Sequence, residues 1–377
     1  MSSAVGKLIA VVVIAVIVVV AALIGVYYYF SIGGHPAIQS IEFGTSTSVS
    51  QEFIPAYVAQ HGGFWKQQGL NVTVVPFTGD PAQMKAVASG QLQIGITGVE
   101  GGLIAATTGA KFETVAIGFP QADMSVVVLK NSTYTDPAQL RGATIAVNAL
   151  GGLEDIMVHI LASHYNMTLG KDIHEVAVGS VPAEIASLVS NKVQAIMIGY
   201  AQGYILEYKG AGRILTLMSS IVPSNWMTET LYASDALISN HPDLVKKVLQ
   251  GWFNAVGYLK SNETYAVQMT SQYMNVPSSV AQKIVGQAFF GPGNFSSNGQ
   301  FTSQAIAALN YVRTTMLGLN ITSNIIPVSQ YYTTQFVPVS QQNVAPYAVL
   351  TSNLDVASTV GLFSSLVIPA KKIGFRN

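Results

Sequence analysis

Residues 41–49 read I-E-F-G-T-S-T-S-V, residues 54–80 read I-P-A-Y-V-A-Q-H-G-G-F-W-K-Q-Q-G-L-N-V-T-V-V-P-F-T-G-D, and residues 86–102 read A-V-A-S-G-Q-L-Q-I-G-I-T-G-V-E-G-G. Short β-like runs alternate here with helix-like runs three times. Each β-like run ends in small, polar or glycine residues that open the next helix. In parallel α/β sheets a ligand sits off the carboxyl ends of the strands, against helix N-termini. The stretch therefore reads as half of a small-molecule binding site.

The spacing predicts a strand over 40–44 and a helix from Ser50 to about Gln68, with Phe53, Ile54, Tyr57, Val58 and Phe64 at helical intervals. A second strand follows over 71–77. Thr78-Gly79-Asp80-Pro81 opens a helix, with Asp80 as cap and Pro81 in the first turn. Strands are predicted over 92–97, 112–118 and 124–129. The pattern then repeats, with strands near 143–147, 176–178, 193–198 and 213–217 between helices that begin near Leu153, Pro182 and Gly199. One more strand, E-T-L-Y-A-S at 229–234, precedes helices over 241–259, 265–273, 278–288 and 301–317.

At the N-terminus, residues 8–30 form 23 residues without a charge. At about 1.5 Å per residue they can cross an apolar core of about 30 Å. Lys7 precedes the span and Lys66 is the next lysine or arginine, so the positive-inside rule leaves the N-terminus in the cytoplasm and the rest outside. A cleaved signal peptide has a shorter apolar region, so an uncleaved anchor is expected. Six N-x-S/T sequons, at Asn71, Asn131, Asn166, Asn262, Asn294 and Asn320, agree with an exported glycoprotein.

Half of the 377 residues are apolar, 10% are charged and the net charge is zero, which leaves no basic footprint for nucleic acid. Cysteine is absent, which excludes disulfides, thiolate metal sites and a cysteine nucleophile. A surface of Ser, Thr, Asn, Gln and Tyr changes its charge little in acid, so an acidic exterior is expected. About 340 residues remain after the anchor, enough for two lobes. The expected division is an anchor and linker (1–39), a first lobe (40–125), a second lobe (126–228), a mostly helical return to the first lobe (229–337) and a C-terminal extension (338–377).

The stretch quoted above, with D-P-A-Q-L-R-G-A-T-I-A-V at 136–147, I-A-S-L-V-S-N-K-V-Q-A-I-M-I-G-Y at 185–200 and I-S-N-H-P-D-L-V-K-K-V-L-Q at 238–250, resembles the type II periplasmic substrate-binding proteins. Within them it is similar to the sulfonate, nitrate and thiamine-pyrimidine binders of ABC importers. The resemblance covers residues 40–335. It implies an α/β, two-lobed periplasmic-binding-protein-like II fold, here behind an N-terminal transmembrane helix, with crossovers near 124–130 and 228–234. It also implies a ligand held between the lobes by hinge closure, and an ABC permease and ATPase as partners. Matched onto this sequence, the cleft positions are Thr45, Ser46, Asp80, Gly98, Val99, Glu100 and Asp123 in the first half, and Gly151, Gly152, Glu154 and Tyr200 in the second. Trp226 is placed to close over a ligand.

Glycines at these ends let backbone N–H groups approach a ligand, which suits sulfonate or nitrate. Glu100 and Glu154 oppose that reading: at about 4 Å and an effective dielectric of about 20, like charges cost roughly 4 kcal/mol. No Lys or Arg stands at these positions to offset it. A neutral or cationic ligand with N–H donors, such as an aminopyrimidine, is expected instead. Glu100 and Glu154 also suit a role at the helix dipole, and Trp65 suits the core. His159 and His164 are five apart and share no helical face, so no metal pair is expected, and Asp155 with His159 reads as a helix-surface pair. No H-E-x-x-H, Walker A, complete G-x-G-x-x-G or G-x-S-x-G is present, so neither enzyme activity nor a cofactor is expected. An importer's solute receptor is the leading reading. An anion binder, and a membrane-tethered sensor or surface-assembly component on the same fold, remain open.

Overall fold

The computed structural model describes residues 39–47, 50–120, 122–222, 226–291 and 294–340, with residues 20, 342, 345 and 346. The expected membrane anchor therefore lies outside the described residues, Val20 excepted. Among the described residues no helix is long and apolar enough to cross a membrane.

The first lobe is built on strands β1 (Gln39–Thr45), β2 (Leu70–Pro76), β3 (Ile94–Gly98) and β4 (Phe112–Phe119). Helices α1 (Ile54–His61), α2 (Asp80–Ala88) and α3 (Val99–Thr107) connect them. The second lobe uses β5 (Met124–Leu129), β6 (Thr144–Val147), β7 (His174–Ala177), β8 (Ala195–Gly199) and β9 (Gly212–Leu217). Its helices are α4 (Leu153–His164), α5 (Val181–Val189) and α6 (Tyr200–Tyr208). Strand β10 (Glu229–Ser234) returns the chain to the first lobe. After it come α7 (Asp235–Asn240), α8 (Pro242–Ser261), α9 (Glu263–Met274), α10 (Ser278–Val285) and α11 (Ser303–Gly318).

The two sheets have one plan. Their orders are β2-β1-β3-β10-β4 and β7-β6-β8-β5-β9. In each, one strand runs against its two neighbours: β10 against β3 and β4, and β5 against β8 and β9. The segments near 124–130 and 228–234, expected to be crossovers, are thus these strands themselves. The chain passes between lobes from β4 to β5 and from β9 to β10. Both strands are buried along nearly their whole length, and a buried backbone needs the hydrogen bonds a sheet supplies.

The core of the first lobe sits under α8. The Phe43 ring lies 5.2 Å from Trp65 and 5.6 Å from Trp252, centroid to centroid. Trp65 is 1% exposed and its indole donates to the Val248 carbonyl at 2.8 Å, which confirms it as a core residue. The chain after α11 stays on this lobe: Tyr331 is buried against Phe112, and the Val339 amide donates to the Asn298 carbonyl.

The helix expected from Ser50 to Gln68 is three pieces, a 3-10 turn at Gln51–Phe53, α1, and a second turn at Lys66–Gln68. Gly62 caps α1, and Gly63 has φ +75°, which redirects the chain. Of the sequons, Asn71, Asn131, Asn166 and Asn320 are exposed. Asn262 caps α9 through its side-chain oxygen, and the Asn294 amide donates to the Gly291 carbonyl.

Candidate functional site

The ends of β1 and β2 and the start of β10 face the ends of β6 and β8 across a crevice of about 410 Å³, part of it open to solvent. The first lobe lines it with Ser46, Thr47, Ser50, Glu52, Gly79, Asp80 and Glu229. The second lobe adds Met124, Asn148, Leu153, Glu154, Val181, Gly199 and Gln202.

Of the residues expected from sequence, Ser46, Asp80 and Glu154 line this crevice. Thr45, Gly98, Val99, Glu100 and Asp123 are buried and do not line it, and Gly151 and Gly152 stand at the loop that opens α4. Tyr200 is buried at the start of α6, its amide bonded to the Asp123 carbonyl at 2.8 Å. Trp226 does not line the crevice. It is 1% exposed and meets Tyr311 edge-on, with centroids 6.0 Å apart.

Asp80 departs from the capping role. Gly79 is the N-cap of α2, and the Asp80 carboxylate reaches instead to the end of β3. Its Oδ1 accepts from Thr97 Oγ1 and from the Gly98 amide, both at 3.0 Å. The strand end is thereby tied to the helix start, and the glycines at 98 and 101 leave room for the carboxylate. A Cβ on Gly98 would lie 2.8 Å from Asp80 Oδ2.

Acidity dominates the site. Glu52, Asp80, Glu100, Asp123, Glu154, Glu184 and Glu229 are each more than nine-tenths buried. None of the ion pairs among the described residues involves them. Some have neutral donors: Gln51 Nε2 donates to Asp123 Oδ2 at 2.6 Å, and the Asn148 amide to Glu154 Oε2 at 2.6 Å. Glu229 Oε2 and Asp123 Oδ1 have no hydrogen-bond partner among the described residues.

A carboxylate taken from water without a cation holds its proton more tightly. Burial, partly offset by Gln51 and Glu52, pushes Asp123 up to about 6. Burial pushes Glu154 up to about 7 against the Asn148 amide. Burial and the Asp123 charge hold Glu52 well above the usual carboxylate range. Burial and the neighbouring acids do the same to Glu229. Glu100 is raised chiefly by burial, opposed in part by its own backbone and by the Trp226 indole. Within two pairs of these acids one carboxyl acts on the other: Asp123 helps to raise Glu52, and Glu154 helps to raise Glu184.

Chemically this is a crevice of acceptors with apolar walls. Met124, Leu153 and Val181 offer flat apolar contact, and Glu52, Asp80, Glu154 and Glu229 accept hydrogen bonds. No histidine, lysine or arginine is among the lining residues. Sequence reasoning missed Glu52 and Glu229. The available signal was a carboxylate inside an apolar context, Q-E-F-I at 51–54 and T-E-T-L-Y at 228–232.

The sequence model of the family described as NMT1/THI5 like matches residues 50–266. A riboflavin-binding protein, RibY, from Chloroflexus aurantiacus is 22% identical over 242 residues, covering 63% of this chain and 68% of its own. A 4-amino-5-hydroxymethyl-2-methylpyrimidine phosphate synthase, THI11, from Saccharomyces cerevisiae is 29% identical over 115 residues, 30% of this chain and 33% of its own. The alkanesulfonate-binding protein SsuA from Xanthomonas axonopodis pv. citri, solved with MOPS bound, superposes with a TM-score of 0.66 at 17% identity. It covers 79% of this chain and 98% of its own. At that identity the likeness is one of fold, and it is the two-lobed fold that the sequence resemblance implied. Together with the family match over more than half its length, this makes the chain a member of the NMT1/THI5-like family.

Proposed function

We propose that this chain is the solute receptor of an ABC-type importer, held at the outer face of the cell membrane by residues 8–30, and that its solute is rich in N–H donors or positively charged. An amino-heterocycle such as an aminopyrimidine has that chemistry. The observation that carries the reading is Glu229, a carboxylate on the crevice wall, 2% exposed, with Oε2 unpartnered among the described residues and no cation among the lining residues. Burial holds a proton on this carboxyl while no solute is bound, and a cation or an N–H donor can take that proton's place, whereas an anion meets only further buried acids. The family match and the binding proteins among its relatives support a receptor, and a permease and ATPase are its expected partners.

The experiment is a thermal-shift screen of the full-length chain with aminopyrimidines, alkanesulfonates and nitrate. The amino compounds raise Tm and are recovered unchanged, and E229Q removes the rise. A rise with sulfonates and none with amino compounds contradicts the solute class. Conversion of the compound contradicts a receptor. Co-purification with permease and ATPase separates an importer's receptor from a sensor, and resistance to alkaline extraction from membranes tests the anchor.

A further inference from the structure

Away from the crevice lining, three side chains of the second lobe converge. Asp155 and His159 lie one turn apart on α4, with Asp155 Oδ1 3.3 Å from His159 Nε2. Glu175 comes from β7, the edge strand, where parallel pairing sets it beside Ile145 of β6. One ligating atom from each of the three lies within 4.8 Å of the others.

Other features separate this cluster from a surface ion pair. Asp155 is 6% exposed, and its second oxygen is already committed, accepting from the Gly151 amide at 2.6 Å. That bond fixes the carboxylate and leaves Oδ1 directed at the cluster. Glu175 Oε1 is sealed from solvent and has no hydrogen-bond partner among the described residues. No lysine or arginine pairs with any of the three in the ion pairs of the described residues. Two carboxylates that meet beside a histidine are held by a shared proton or by a metal ion that takes the proton's place.

We propose that Asp155, His159 and Glu175 bind one divalent transition-metal ion of the zinc class, with water completing its coordination. Oxygen and imidazole donors at about 2.0–2.2 Å from such an ion stand about 3.3–3.5 Å from one another. The Asp155–His159 pair already has that separation, and a ligating oxygen of Glu175 lies within 4.8 Å of both. An imidazole in the set favours zinc, cobalt or nickel over calcium or magnesium, which take oxygen ligands. The Gly151 amide is the outer support that ligating carboxylates ordinarily have. It also joins the ion to the crevice, because residues 148–152 connect β6 to α4 and Asn148 lines the crevice. Sequence alone showed only the helical pair; Glu175 is added by the pairing of β6 with β7.

The test is calorimetric titration of the full-length, EDTA-treated chain with zinc chloride. One ion binds per chain, and H159Q and E175Q each weaken binding by at least about tenfold. No saturable binding overturns the assignment. So does binding that survives H159Q and E175Q and is lost in E229Q, which places the ion in the crevice. Cobalt loaded into the unmutated chain gives a reading that does not depend on the variants folding. Shifted ring protons belonging to one histidine are expected, and none overturns the site.

Discussion

A Cβ placed on Gly79 in the first lobe would stand 3.3 Å from the Cβ of Ala149 in the second, and 3.5 Å from Asn148 Oδ1. The loops that end β2 and β6 therefore meet over the crevice. Gly79 has φ +98° and ψ 163°, a region open essentially to glycine alone. G79A is expected to cost about 1–3 kcal/mol of folding stability. Because the added methyl also presses on Ala149, it lowers solute affinity beyond that loss. Denaturant melts and calorimetry on the same samples separate the two effects, and an affinity unchanged in G79A contradicts contact-limited closure.

The buried acids set a pH dependence. Asp123 moves from its ordinary 3.8 to about 6 on folding, so the folded state binds the proton more tightly than the unfolded chain. Its contribution is present below about pH 4 and is lost as pH rises through about 6, amounting to about 3 kcal/mol. Glu52, Glu100 and Glu229, raised in the same direction by burial, extend the loss toward neutrality. His61, whose burial disfavours the imidazolium, acts the other way as a single group. The solute-free chain is therefore expected to melt at a higher temperature at pH 4 than at pH 7. A Tm that climbs across that interval contradicts this electrostatic account, and a fall toward pH 7 agrees with the acidic exterior expected from composition.

Asp80 gives a contrast between two substitutions. D80A strands the Thr97 hydroxyl and the Gly98 amide, both buried, at about 1–3 kcal/mol for each donor. D80N keeps an acceptor oxygen for both and removes the charge from the crevice. Chemical denaturation should show D80A well below the parent and D80N within about 1 kcal/mol of it. Affinity for a cationic aminopyrimidine should fall in both.

Gly251 of α8 is in the core, where a Cβ would come within 2.1 Å of Trp65 Cδ1. Two fused rings leave no room to retreat, because Trp65 is pinned by its bond to the Val248 carbonyl. G251A is expected to destabilise by about 1–3 kcal/mol through overpacking. The pair G251A and W65F should be less harmful than the sum of the two, which a double-mutant cycle by urea melts measures.

Tyr200 is 2% exposed, and its hydroxyl has no hydrogen-bond partner among the described residues. Removing an unpaired buried hydroxyl restores about 1–2 kcal/mol at most. Y200F should match or exceed the parent in thermal stability without solute. If the hydroxyl reaches the bound solute, the variant binds it less tightly, so the two measurements tell a structural tyrosine from a binding one.

Much of this architecture is legible in the linear chain. The alternation of β-branched runs with helical spacing places every strand from β1 to β10 within a few residues, and β10 falls on the predicted E-T-L-Y-A-S. These signals are local, because a strand's alternation and a helix's 3.6-residue period are written among near neighbours. The resemblance to periplasmic binders likewise rests on motifs that each lie within one βα unit.

What the sequence by itself determined is the order of elements, the strand ends that carry a site, and the exclusion of cysteine chemistry and basic surfaces. Only the tertiary structure decided which acids meet: Glu52 with Asp123, Glu154 with Glu184, and Glu229 on the crevice wall beside Asp80. Each partnership joins segments far apart in the chain, through sheet register and the passage of β5 and β10 into their sheets. No local pattern encodes a distance between two such segments. It is fixed by how two layers of side chains pack, and that is settled only when the whole chain has folded.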